Sequence, residues 1–310
     1  MVATVYLQAG VGERAAGVRG VLADLLAHAD LAGLVRGEQV LVKPNCVSST
    51  RQLAATHADA LAPVLAALAL LGPRRIILGE GSAEDTRRAF KGFGYTALTR
   101  RYGVELLDLN RDRSVALPIY DERGQAHPVR VAKTALDSVR VSVALPKTHD
   151  TVIVTASFKN MVVGCIQKPD KAKIHRGYRA INVNLALLGR ALRPHLAVID
   201  GFVGMEGDGP VDGEPVDHRV AFAGTDPVAV DAVAADLMGF APGEIGYLVH
   251  AARLGLGEVD LGRITVQGAD LAAARRRYRP HRTYGEQRTW DVAGTPLAVV
   301  LDQSAAATGS

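Results

Sequence analysis

The chain reads as an α/β protein, a doubly wound, mostly parallel sheet with helices on both faces and a small β-hairpin insert. Three observations predict this. Short apolar runs alternate with segments of helical spacing, the turns between them carry the Gly, Pro and Asx signals that start and stop helices, and one Pro- and Gly-punctuated interval breaks the rhythm.

Val5-Tyr6-Leu7 supplies a first strand, and residues 13–28 place Val18, Val21, Leu22, Leu25 and Leu26 at helical spacing. Val40-Leu41-Val42 reads as a buried strand. Residues 57–71 form a helix stopped by Gly72-Pro73, and residues 75–78 form the next strand. A helix over about 84–102, interrupted near Gly92 and Gly94, leads to a strand at 104–107. Residues 113–133, with Pro118, Gly124 and Pro128, fit the hairpin insert. Residues 139–145 return to a buried strand. Residues 151–163 and 181–192 read as helices on either side of a basic loop, and 196–199 as the strand feeding Asp200-Gly201. A strand at 220–223 precedes Gly224-Thr225-Asp226-Pro227, an Asx cap with proline at the first helical position, which opens a helix running to Gly239. A helix at 243–253 and a strand at 264–266 complete the pattern, and 304–310 reads as a frayed tail. The expected organisation is one α/β domain over 1–268, followed by a basic C-terminal extension and tail over 269–310.

Hydrophobic residues make up 48% of the chain and charged residues 22%, an ordinary globular balance. The net charge of +4 is mild, and the basic run of Arg275, Arg276, Arg277, Arg279, Arg282 and Arg288 has only Tyr278 and Tyr284 interleaved. A nucleic-acid surface asks for more stacking side chains, so a solvated face or a contact between subunits is expected there. No basic start followed by an apolar stretch is visible at the beginning, and the longest apolar run, 60–71, contains Pro63 and is too short to span a bilayer. A cytoplasmic protein without a membrane partner is the expectation. Cys46 and Cys165 are too few for a disulfide framework or a four-cysteine site within one chain.

Polar clusters follow the apolar runs, where α/β sheets form their ligand crevices. Lys43 precedes Pro44 and stands beside Asn45. It offers a point charge to a carboxylate or phosphate, and the amide can orient what binds. Pro146-Lys147-Thr148-His149 sets a histidine two residues from a cation that lowers its pKa and favours the basic imidazole. Lys159 and Asn160 lie in an apolar segment, so the lysine must be paired, ligand-bound or snorkelled. Lys171, Lys173 and His175 follow in a loop that could close over an anion, although Lys171 reads more readily as solvated. Asp200, then Glu206 and Asp208 in a glycine-rich stretch, could partner His149 or bind a divalent metal such as Mg²⁺. Gly79-Glu80-Gly81-Ser82 lies between a strand and a helix like a phosphate-cradling turn, without the lysine or the glycine spacing of the known motifs.

Taken in order, the runs ending at Lys43-Pro44-Asn45, Pro146-Lys147-Thr148-His149, Lys159-Asn160 and Gly164-Cys165, then His175, Asp200-Gly201, Met205 to Pro210 and Gly224 to Asp231, resemble the family catalogued as domain of unknown function 362. Some members of that family carry ferredoxin-like segments with clustered cysteines, which implies iron-sulfur redox work, and this chain has no such segment. The resemblance leaves an iron-sulfur cluster shared across a homodimer, with Cys46 and Cys165 contributed by each copy, as one reading. Electrons arriving from a separate ferredoxin are part of the same reading.

The leading expectation is an enzyme acting on a small anionic molecule by acid-base chemistry of the isomerase, lyase or hydrolase kind. His149, Lys147, Glu206 and Asp200 are the candidate catalytic groups, and Lys43, Asn45, Lys159, Asn160, His175 and Ser82 the candidate substrate-binding ones. The redox protein and a non-catalytic anion-binding module are the alternatives.

Overall fold

A computed structural model describes residues 2–306. The strands are β1 (Ala3–Ala9), β2 (Gln39–Pro44), β3 (Arg75–Glu80), β4 (Glu105–Asp108), β5 (Ser114–Tyr120), β6 (Ala126–Ala132), β7 (Val139–Ala144), β8 (Lys147–His149), β9 (Ile153–Thr155), β10 (Leu196–Glu206), β11 (Glu214–Gly224) and β12 (Ile264–Gly268). The main sheet runs β12-β1-β11-β10-β7-β2-β3-β4, with β8 and β9 attached beside β10. Its neighbours are parallel except where β11 lies antiparallel between β1 and β10. The two short runs predicted at 113–133 are β5 and β6, paired as a separate antiparallel hairpin.

Alternate residues of each strand face opposite sides, which explains why fully apolar strands are needed. Val40, Val42, Val141 and Val143 pack with helices Arg14–His28 and Ala58–Leu70 on one face. Leu41 and Ile77 point the other way, into the cluster that holds helices Ser157–Cys165 and Tyr178–Leu192. Helix Pro227–Leu237, opened as expected by Asp226, whose carboxylate accepts from the amides of Val228 and Ala229, covers the same side nearer β1 and β10.

The structure corrects several boundaries. Residues 151–163 are not one helix: β8 and β9 form a tight hairpin, and the helix starts at Ser157. Ile153 sits at φ 66°, a costly conformation for a β-branched residue. Gln287 holds it there, accepting from the Ile153 amide and donating to the His149 carbonyl at 2.7 Å. A side chain 134 residues away thus overrides local helix preference. β10 continues through Asp200-Gly201, with a bulge between Gly201 and Val203, to Glu206, so the turn comes beyond it. The basic loop after Cys165 contains a helix, Lys168–Ile174.

The C-terminal stretch is more than an appendage, since Tyr278, Val292, Leu297 and Leu301 are buried in the main cluster. Its arginines meet acids from elsewhere in the chain: Arg275 pairs with Asp236, Arg279 with Glu206, Arg282 with Asp208 and Arg288 with Glu244. Ser304 to Ala306 close the helix Pro296–Ala306, and the rest of the expected tail lies outside the described residues. Among the described residues no helix is long and apolar enough to cross a membrane.

Candidate functional site

The carboxyl ends of β2 and β3 lie side by side and carry Lys43 and Glu80. Lys43 Nζ donates to Glu80 Oε2 at 2.9 Å, to Asn160 Oδ1 at 2.8 Å and to the Pro44 carbonyl at 2.8 Å. All three of its protons are therefore spent within the protein, and Glu80 Oε1 is taken by the Gly81 amide at 2.7 Å. A fully hydrogen-bonded buried pair of this kind is the arrangement in which two desolvated charges are tolerated. Gly164 makes room for it, because a Cβ at that position would overlap the end of the Lys43 side chain.

Asn160 is the hub. Its Oδ1 also accepts from Asn45 Nδ2 at 3.0 Å, its Nδ2 donates to Ser142 Oγ at 3.0 Å, and Asn45 Oδ1 in turn accepts from Lys147 Nζ at 2.5 Å. Lys147 is wholly buried. Burial, helped by the charge of Lys159, brings its pKa down to about 7.

The hairpin β8–β9 delivers His149. Its Nε2 lies 2.9 Å from Lys159 Nζ, and its Nδ1 lies 2.8 Å from Asp150 Oδ1. The Thr151 amide donates to His149 Nδ1 at 3.1 Å, and Asp150, whose side chain is 51% exposed, stands beside the same nitrogen. Burial and then the Lys159 charge hold the imidazole far below its usual range. Burial pushes the Asp150 carboxyl up, but the hydrogen bond with His149 and the nearby charge of Lys159 outweigh it and the group stays below the usual range. Burial brings Lys159 down to about 8. The His175 ring stacks against His149 at 6.3 Å between centroids, and burial followed by Lys159 lowers it to about 4.

Both ends of helix Ser157–Cys165, which carries Lys159 and Asn160, are anchored. At the start, the carboxylate of buried Asp231 accepts from the amides of Ser157 at 2.8 Å and Phe158 at 3.0 Å, and Tyr247 Oη donates to it at 3.0 Å. At the end, Lys171 Nζ donates to the carbonyls of Val163 at 2.7 Å, Gly164 at 3.3 Å and Ile166 at 2.5 Å, where the helix dipole favours a cation. Lys171 is thus held over the site, not solvated, and burial lowers it to about 7.

These groups enclose a cavity of about 370 Å³ whose lining includes Lys43, Lys159, Lys168 and Lys171, both His149 and His175, and a single carboxylate, Glu80. Asn45, Asn160, Cys46 and Thr155 line it too, while Lys147 is bonded to Asn45. Asp200 and Glu206 take other partners. Asp200 pairs with Arg14 at 2.8 Å, and Glu206 accepts from the Arg279 amide at 2.9 Å, so the carboxylate beside His149 is Asp150. Ser82 is buried in the turn after β3, its hydroxyl donating to the Val47 carbonyl.

The cysteines do not fit a cluster shared between two copies. Both are buried, Cys46 against the Tyr95 hydroxyl and Cys165 against the Met161 sulfur. Burial pushes their thiols up to about 12 and about 11, whereas a cluster requires thiolates that can meet the metal. Among the described residues no three His, Cys, Asp or Glu side chains gather as a metal-ligand set.

Sequence reasoning missed Glu80 as the Lys43 partner, because it read the strand as ending at residue 78 with Glu80 in the turn beyond, and it missed Asp150, which is adjacent to His149. Thr155 carried no signal while its segment read as helix.

A thylakoid-associated protein of Synechocystis sp. is 24% identical over 227 residues, covering 71% of this chain and 69% of that protein. The lactate racemase apoprotein structure from Thermoanaerobacterium thermosaccharolyticum has a similar α/β fold, with a TM-score of 0.51 at 11% identity. The match covers 76% of this chain and 57% of that one, so the chain spans little more than half the length of that structure. A protein structure from Thermotoga maritima matches with a TM-score of 0.43 at 11% identity, over 71% of this chain and 57% of that one. The family described as Domain of unknown function (DUF362) matches residues 40–236, most of the chain and all of the clusters that build the cavity wall around Lys43, His149, Lys159 and His175, and the protein belongs to that family.

Proposed function

We propose that this protein binds a small carboxylate or phosphate compound in the lysine-lined cavity and moves a proton on it. The observation that carries the reading is the charge imbalance: Lys43, Lys159 and Lys171, with exposed Lys168 at the mouth, line a partly open space with one carboxylate, already engaged by Lys43. Desolvated positive charge without a counter-ion is costly, and an incoming anion supplies the missing partner. Lys43 shapes the wall, with Asn45 and Asn160 linking it to Lys147, while Lys159 faces the ligand with its remaining donors.

The Lys159–His149–Asp150 chain provides the acid-base part. The neutral amine of Lys159, available because burial brings it to about 8, takes the proton from the ligand and returns one as the ammonium, and the His149 ring stands between it and a half-exposed carboxylate through which that proton can exchange with water. Sulfate and acetate, which do not titrate near neutral pH, should bind in calorimetry. Incubation in D₂O of a panel of small carboxylates, including lactate, the compound named for the racemase of similar fold, should show deuterium entering a C–H position that His149→Ala leaves unlabelled. Failure of both anions to bind would refute the reading, and binding without exchange across the panel would reduce it to a non-catalytic anion module.

A further inference from the structure

Thr155 closes β9 directly opposite Lys147, and His149 pairs with Ile153 in the same hairpin. Alternate strand residues share a face, so Lys147, His149 and Thr155 all point to the cavity side. Thr155 lines that cavity, is 4% exposed, and its Oγ1 has no hydrogen-bond partner among the described residues. A buried hydroxyl normally has one.

Most other buried polar groups of the cavity are spoken for, and Lys168, exposed at its mouth, donates to the Glu84 carbonyl at 2.9 Å. The protons of Lys43 and Lys171 go to protein acceptors, His175 Nδ1 meets the Lys171 carbonyl, and the side-chain oxygens of Glu80, Asn45 and Asn160 are taken. Lys159 Nζ has the His149 ring as its one hydrogen-bond partner. Among the buried donors of the described residues that line the cavity, Thr155 Oγ1 and the remaining protons of Lys159 Nζ are therefore left for a ligand, on the side of the cavity near β8 and β9. We infer that Thr155 Oγ1 and Lys159 Nζ together form the oxyanion subsite, each donating to an oxygen of the ligand's carboxylate or phosphate group. The rest of the cavity receives the remainder of the ligand. This inference rests on the anion-binding reading and assigns where within the cavity the charged group sits.

The test compares the wild-type chain with Thr155→Val, which keeps the shape and removes the hydroxyl, and Thr155→Ser, which keeps the hydroxyl. Sulfate and acetate are titrated by calorimetry, and melting is followed without added anion. Thr155→Val should bind sulfate about five- to tenfold more weakly, the loss of one hydrogen bond, and Thr155→Ser within about twofold of wild type. Thr155→Val should also melt no lower than wild type without anion, because it removes a buried hydroxyl that the protein leaves unsatisfied. Weakening for both probes assigns a general oxyanion subsite, and weakening for sulfate alone assigns a tetrahedral one. Wild-type affinity in Thr155→Val would overturn this assignment while leaving the anion reading intact. A clearly lowered melting temperature without anion would show a structural hydroxyl and overturn it as well. A wild-type chain that binds neither probe would overturn both.

Discussion

Replacing Lys159 by methionine should make the unliganded protein more stable while abolishing its affinity for anions. Methionine keeps the apolar stem and its length and removes the ammonium. In the folded chain the Lys159 pKa falls from the ordinary 10.5 to about 8 because of burial, a difference of about 2.5 units or roughly 3 kcal/mol of penalty on the charged form. Losing the hydrogen bond to His149 offsets part of the gain, by about 1.5 kcal/mol for a charged donor. The net gain is about 1–2 kcal/mol, which for a chain of this size is about 2–4 °C in melting temperature. The sign with pH follows from linkage. Between about pH 8 and 10.5 the unfolded chain holds the Lys159 proton and the folded one does not, so the wild type loses stability as pH falls through that window and the penalty is fully present below it. The advantage of Lys159→Met should therefore be greatest at neutral pH and vanish toward pH 10.5. Melting curves of both proteins across that range, at low salt and without anion, read the effect. A variant less stable than wild type at neutral pH, or an advantage that does not change with pH, would refute the reasoning.

Gly164→Ala should force the end of the Lys43 side chain out of its bonds to Glu80 and Asn160, destabilising the fold by about 3 kcal/mol, the scale for breaking a buried ion pair. A melting shift under about 1 °C would show that the lysine is free to move aside. Asp231→Asn leaves one of the two helix-start amides without its acceptor and should cost about 1–2 kcal/mol. It should also weaken sulfate binding, since Lys159 rides on that helix. Stability loss in urea unfolding with unchanged sulfate affinity would confine Asp231 to a structural role.

The fold was legible because parallel strands buried on both faces must be apolar throughout, and runs such as Val40-Leu41-Val42 have no other simple reading. The direction of β11 was not legible, since an apolar run does not say which way it pairs. The site was legible where a charged residue terminates such a run: Lys43, Asn45, His149, Lys159, Asn160 and His175 all line one cavity. It failed where pairing depends on tertiary contact. Asp200 faces Arg14 because β10 runs on past it instead of turning, and Glu206 is drawn to Arg279 in a stretch that read as a separate extension. Thr155 was hidden because the bend before it depends on Gln287, far along the chain.

The central claim is that the cavity's lysines are held partly deprotonated for want of a counter-ion. Burial brings Lys171 to about 7 and Lys159 to about 8, so at about pH 7.5 an anion that restores their charge must draw protons from solution. Sulfate titrated by calorimetry in buffers of different ionisation enthalpy measures that number directly. The account predicts an uptake of about one proton per sulfate bound, with affinity falling as pH rises from 7 to 9. Binding with no proton uptake and no pH dependence would contradict it.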